Sequence, residues 1–178
     1  MFEFESLEGR TLLSGSHGIG AAAFNPYGHG AAQATQNGGT LTINNAHDIQ
    51  FNTLYATNAD GSQGGVIGVE LIDKGVRGNK VTDFLNVTDV VIVGTKDYDI
   101  ISGNSDGMIG VQLNAGGGND DINFSNNGYG IATLHGGNGN DSFYVHARHA
   151  GTTTVYGDSG KDTFGFGGTL DPNVTWVQ

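Results

Sequence analysis

Apolar residues recur along this chain in two alternating columns that share one period. Asp99, Asp120, Asp141 and Asp162 stand 21 residues apart, and each opens the pattern Asp-x-apolar-x-(apolar or Gly). The positions so filled are Ile101 and Gly103, Ile122 and Phe124, Phe143 and Val145, Phe164 and Phe166. Leu71, Ile92, Leu113, Leu134 and Val155 keep the same spacing of 21, each preceded two residues earlier by Val69, Val90, Val111, Ala132 or Thr153. Side chains alternate between the two faces of a strand, so every period supplies two strands with one inward face each. Such a pair describes one winding of a coil, and a coil buries its apolar columns only by stacking on its neighbours. The predicted fold is all-β: a right-handed parallel β-helix or β-roll solenoid.

The first half fits this register once insertions are allowed. Asp83, with Leu85 and Val87, lies 12 residues after Leu71 where later coils take 7, and the next stretch is shorter by 5. One coil earlier, Leu41 and Ile43 followed by Ile49 and Phe51 supply both strands, with His47 in the Asp position and Asn58 to Gly65 as a protruding loop. The expectation is about six coils, a rod of about 25 to 30 Å at the spacing of hydrogen-bonded strands. Residues 39–178 form this solenoid. Residues 1–38, rich in Gly, Ala, Ser, Asn and Gln without a repeating pattern, read as a flexible leader. The leader is expected to cover the first coil and Leu170 to Gln178, with Trp176, the last, because an uncovered solenoid end is a sheet edge.

Composition narrows the chemistry. There are 32 Gly, 2 Pro and no Cys among 178 residues, so thiolate metal sites and disulfides are excluded, and Gly with β-branched residues disfavours helix. No apolar run approaches the roughly 18 residues of a membrane span. Seven Lys plus Arg against 18 Asp plus Glu give a formal charge of −11, a poor match to nucleic acid or anionic lipid. Cations are the expected partners.

A turn precedes each of the last three period-opening aspartates: AGGGND at 115–120, GGNGND at 136–141 and GDSGKD at 157–162. Gly permits positive φ, so carbonyl oxygens can point to one side, and a hard cation such as Ca²⁺ takes six to eight oxygens. Carboxylates stacked one coil apart would repel by roughly 3 to 4 kcal/mol per pair at an effective dielectric near 20, and a divalent ion between them reverses the sign. The alternative is a calcium-free solenoid whose turns use Gly, Asn and Asp for their tolerance of left-handed backbone, with Asn119 and Asn140 stacked as an amide ladder.

Gly136 to Tyr144, GGNGNDSFY, resembles the haemolysin-type or repeats-in-toxin nonapeptide GGxGxDxUx, with Phe143 at U. Ala115 replaces the first Gly of one copy and Asp158 the second Gly of another, while GTKDYD (94–99) and GNKVTD (78–83) keep only the first Gly and the Asp. The resemblance implies a parallel β-roll with Ca²⁺ between adjacent turns. The candidate metal-site residues are Gly116, Gly118 and Asp120; Gly136, Gly137, Gly139 and Asp141; and Gly157, Asp158, Gly160 and Asp162. Two sites are expected, one on either side of the Asp141 turn, with weak affinity on the order of 10⁻⁴ to 10⁻³ M. A third would use Asp97 and Asp99 with the Asp120 turn.

Phe4 to Ser14, FESLEGRTLLS, resembles the LEPR-XLL segment at the start of exported proteins of planctomycete-type bacteria, with Gly9 where that pattern has Pro. Export to the extracellular space or cell surface is what this implies. His146 and His149 would face opposite sides of a strand and so form no metal pair. The few basic residues form no cluster, and no catalytic residues are assigned. A Thr column of the ice-binding type is not continued from Thr152, Thr153 and Thr154 to Ile131, Ala132 and Thr133. The expected function is a non-catalytic extracellular calcium-binding module for surface adhesion, binding or structure. A polysaccharide-active β-helix enzyme, or its carbohydrate-binding fragment, is the alternative. A cell-surface glycan or protein partner is sought first at Asn58 to Gly65 and at Lys74 to Lys80.

Overall fold

The computed structural model describes residues 11–13, 30–76, 78–165 and 172–178, and every regular element among them is a β-strand. In chain order these are β1 (Thr11–Leu13), β2 (Gln33–Asn37), β3 (Thr40–Asn44), β4 (Asp48–Thr57), β5 (Gln63–Asp73) and β6 (Lys80–Leu85). The repeating part continues with β7 (Asp89–Thr95), β8 (Ile100–Ser105), β9 (Gly110–Gly116), β10 (Asp121–Asn126), β11 (Ile131–Asn138), β12 (Ser142–Ala147), β13 (Thr152–Ser159), β14 (Thr163–Gly165) and β15 (Val174–Val177). Among the described residues no helix is long and apolar enough to cross a membrane. Most of the LEPR-XLL-like segment, together with His17, His29, Phe166 and Leu170, lies outside the described residues.

Two sheets carry the strands, one of eight in the order β1-β6-β5-β4-β8-β10-β12-β14 and one of seven in the order β15-β13-β11-β9-β7-β3-β2. From β7 to β15 the chain alternates between them and completes about four turns of a parallel β-solenoid. The inward columns run in register: Leu41, Val90, Val111, Ala132, Thr153 and Val174 form one, and Ile43, Ile92, Leu113, Leu134, Val155 and Trp176 the next. On the other sheet Ile49, Ile101, Ile122, Phe143 and Phe164 align. The apolar residues of these columns make one continuous buried cluster, with the partly buried Phe164 and Trp176 packed against its end. Gly103 shows how the layers share volume. Phe51 lies where a Cβ on Gly103 would be and reaches across it to Phe124, ring centroids 6.1 Å apart. At the far end Trp176 packs on Phe164 at 4.9 Å.

The structure corrects the expected six coils. Leu41, Ile43, Ile49 and Phe51 stack directly on the layer of β7 and β8, with no coil between. Val69 and Leu71 lie on β5, which runs antiparallel to β4, and Asp83 and Leu85 lie on β6, antiparallel to β5. The segment between β4 and β7 therefore extends one sheet sideways and winds no turn. Inward alternation has period 2 in antiparallel and parallel strands alike, so Val69 and Leu71 bury as coil residues would. GNKVTD accordingly spans the end of the β5–β6 connection and the start of β6, with Gly78 and Asn79 at φ 89° and 49°, and is no solenoid corner.

Candidate metal centre

Three corners join the seven-stranded sheet to the eight-stranded one at 115–120, 136–141 and 157–162, and they share one backbone design. Their second and fourth positions have positive φ: Gly116 (103°) and Gly118 (119°), Gly137 (97°) and Gly139 (140°), Asp158 (65°) and Gly160 (145°). Sterics add to the conformational demand. A Cβ on Gly137 would collide with the Gly116 carbonyl oxygen, one on Gly139 with that of Gly118, and one on Gly160 with that of Gly139. Successive corners thus touch main chain to main chain, fastened by N–H groups of Gly118 and Gly139 donating to the carbonyls of Asn138 (2.9 Å) and Ser159 (2.8 Å) in the next turn.

The sixth-position aspartates form a ladder along the stack. Asp120 Oδ1 accepts from the Asp99 backbone N–H (2.8 Å), Asp141 Oδ1 from that of Asp120 (2.9 Å), and Asp162 Oδ1 from that of Asp141 (2.9 Å). Each carboxylate is thereby fixed between two corners. The second oxygens differ in kind: Asp120 Oδ2 and Asp141 Oδ2 are buried and receive no hydrogen bond. Asp141 Oδ2 lies where a Cβ on Gly136 would be, and Asp162 Oδ2 takes that place beside Gly157. Burial pushes the Asp120 carboxyl up to about 7, with the Asp99, Asp141 and Asp121 charges adding to the rise and the Asp99 N–H opposing it. Asp141 is raised for the same first reason, with Asp162 and Asp158 adding repulsion.

A second ladder runs beside the first: Asn119 Oδ1 accepts from the Asn140 N–H and Asn140 Oδ1 from the Lys161 N–H, both at 2.8 Å. Asp158 has partners of its own. Its Oδ2 meets His135 Nδ1 at 3.0 Å and the Gly137 N–H at 3.2 Å, while His135 stacks on Tyr156 with ring centroids 4.5 Å apart. This clip between turns was not foreseen, although His135 and Tyr156 stand one period apart. The 94–99 corner closes without positive φ. Asp99 accepts from the Thr95 N–H (2.6 Å) and Thr95 Oγ1 (2.8 Å) and faces His47 Nδ1 at 3.0 Å, while Gly94 makes room for Asp99 Oδ2 as Gly136 does for Asp141 Oδ2. Both Asp99 oxygens are engaged, which leaves that corner poorly suited to a third ion.

Other candidates separate cleanly. His149 stacks on Tyr129 and His146 meets Tyr144 edge-on, so the two histidines serve different aromatic contacts. Thr133, Thr154 and Thr175 do align, but Val91 and Gln112 occupy the preceding places of that column. Among the described residues no three His, Cys, Asp or Glu side chains converge on one point. An ion at these corners would therefore combine few carboxylates with main-chain carbonyls, a donor set of hard oxygens suited to Ca²⁺ and unsuited to softer metals. Comparison with known protein families, with curated proteins and with solved structures finds no match.

Proposed function

We propose that this chain is a non-catalytic calcium-binding β-solenoid module, an extracellular or cell-surface binding or structural element whose folding is coupled to Ca²⁺. One observation carries the reading: Asp120 and Asp141 each hold a buried carboxylate oxygen that receives no hydrogen bond. An unpaired buried acceptor is costly, and a cation is what relieves it when the group is ionised. Two ions would lie between neighbouring corners, one held by Asp120 and Asp141 and the other by Asp141 and Asp162, each together with main-chain carbonyls of the 116–118, 136–139 and 157–160 stretches. The formal charge of −11 and the resemblance of GGNGNDSFY to the haemolysin-type repeat support it. The extracellular setting rests on that resemblance and on the LEPR-XLL-like segment.

The test is thermal or urea unfolding followed by circular dichroism, in chelator and in calcium, with calorimetric titration of the ion. Calcium at 100 times its dissociation constant should stabilise by about 2.7 kcal/mol per site. Asp141→Ala should remove binding on both sides of its corner. A second reading has its own support in the Asn119–Asn140–Lys161 ladder and the Asp158–His135 clip, which fasten the corners without metal. It predicts identical unfolding in both conditions and no heat of binding, and that result would overturn the calcium reading.

A further inference from the structure

We infer that the outer face of the seven-stranded sheet carries a binding site for a neutral pyranose ring, seated over Gly110 between Asp89, Tyr129 and Ile131. The inference rests on the reading of the chain as a binding module and is independent of calcium. Asp89 pairs with Gly110 across β7 and β9, and Ile131 follows one turn on, so the outward column lacks a side chain at Gly110 and the Asp89 carboxylate leans in over it. The concavity around it measures about 360 Å³, at the low end of the range for small-ligand sites of roughly 300 to 1,000 Å³.

Its walls are amphipathic. Met108, Ile131 and Tyr129 are 76%, 69% and 58% exposed, which leaves unusually large apolar surfaces in water around one hollow. Asp89 Oδ2 accepts from Thr88 Oγ1 at 2.9 Å, while Oδ1 lies over Gly110, 2.7 Å from where a Cβ would stand. Gln112 lines the same hollow and offers a donor and an acceptor. A sugar ring matches this mixture, with an apolar C–H face for the side of the tyrosine ring that His149 leaves open and a rim of hydroxyls for the carboxylate and amide. A purely apolar partner would leave Asp89 and Gln112 unpaired. Among the described residues no Lys, Arg or His lines the hollow, and the chain carries a formal charge of −11, so sialylated, sulfated or uronic sugars are repelled.

Met108 provides the probe, since the chain has only one other methionine, Met1. Full-length protein labelled with ¹³C at the methionine methyls is titrated, in calcium, with neutral gluco-, manno- and galacto-configured oligosaccharides and with uronic-acid oligosaccharides. A saturable shift of the Met108 methyl with at least one neutral series, at a dissociation constant on the order of 10⁻³ M, is expected. Uronic sugars should give none. Tyr129→Ala, and Gly110→Thr, which puts a side chain on the floor of the hollow and displaces the Asp89 carboxylate, should each weaken binding at least tenfold while leaving the circular dichroism spectrum unchanged. No shift with any neutral sugar, equal shifts with uronic sugars, or full binding by both folded variants would overturn the site. Calcium-dependent unfolding is read separately, so failure of one proposal leaves the other standing.

Discussion

Asp120 and Asp141 put carboxylates where solvent barely reaches, and burial fixes the sign of their effect. Asp120 titrates at about 7 in the folded chain, above its unfolded value near 4. Between those values the calcium-free folded state holds more protons than the unfolded one, so Asp120's contribution to stability is fully present below about pH 4 and is lost as pH rises through 7. In chelator the urea midpoint should fall from pH 5 to pH 8. Calcium, which binds the ionised form, should flatten or invert that slope. Asp120→Asn isolates the residue: its amide oxygen can still accept from the Asp99 N–H, and no charge remains to bury. The variant should gain on the order of 1 to 3 kcal/mol in chelator at pH 8 and respond less to calcium. If it matches the parent at both pH values, Asp120 Oδ2 is solvated and the calcium proposal loses its main support. The aspartate period was legible in the sequence because the fold repeats with it. The division of labour between the two oxygens was not, since it depends on which donor the neighbouring turn presents.

One corner can test itself at the level of the element. Gly116, Gly117 and Gly118 are chemically identical, yet the stack treats them differently. Gly118 has φ 119° and a Cβ there would strike the Asp97 main chain, whereas Gly117 lacks positive φ and its nearest neighbours to a Cβ are 3.7 Å away. Gly118→Ala should therefore destabilise by roughly 2 to 4 kcal/mol, and Gly117→Ala should change stability by less than about 0.5 kcal/mol, as read from urea midpoints. Equal effects would mean that the corner is not held in this conformation. The same contrast explains why the third position varies among Gly117, Asn138 and Ser159 while the fourth stays Gly, and why these corners could be read from sequence. β5 and β6 could not be read so well. Leu71 and Ile92 stand one period apart in sequence, but Leu71 pairs with Phe51 and Thr82 while Ile92 pairs with Ile43 and Leu113. Spacing alone carries no information about strand direction. The hollow at Gly110 was equally silent, because a glycine on an outward column looks in sequence like any other glycine.

Across the whole molecule the two ends of the stack differ in their neighbours. At one end the antiparallel strands β2 and β5 cover the layer formed by β3 and β4, with β6 and β1 beyond them. At the other, the short β14 and β15 are last in their sheets, and no described strand pairs with their outer edges. A solenoid is stabilised chiefly by nearest-neighbour contacts, so opening spreads from whichever end has fewer of them. In chelator, amide exchange should be slowest in β7 to β9 and progressively faster through β11, β13 and β15. The candidate corners lie along that weaker half. Calcium held there should raise protection in β11 to β13 more than in β3 to β7 and so level the gradient. A uniform rise would place the ion's effect on global unfolding alone, whereas protection falling toward β3 in chelator would show that the antiparallel strands do not cover their end.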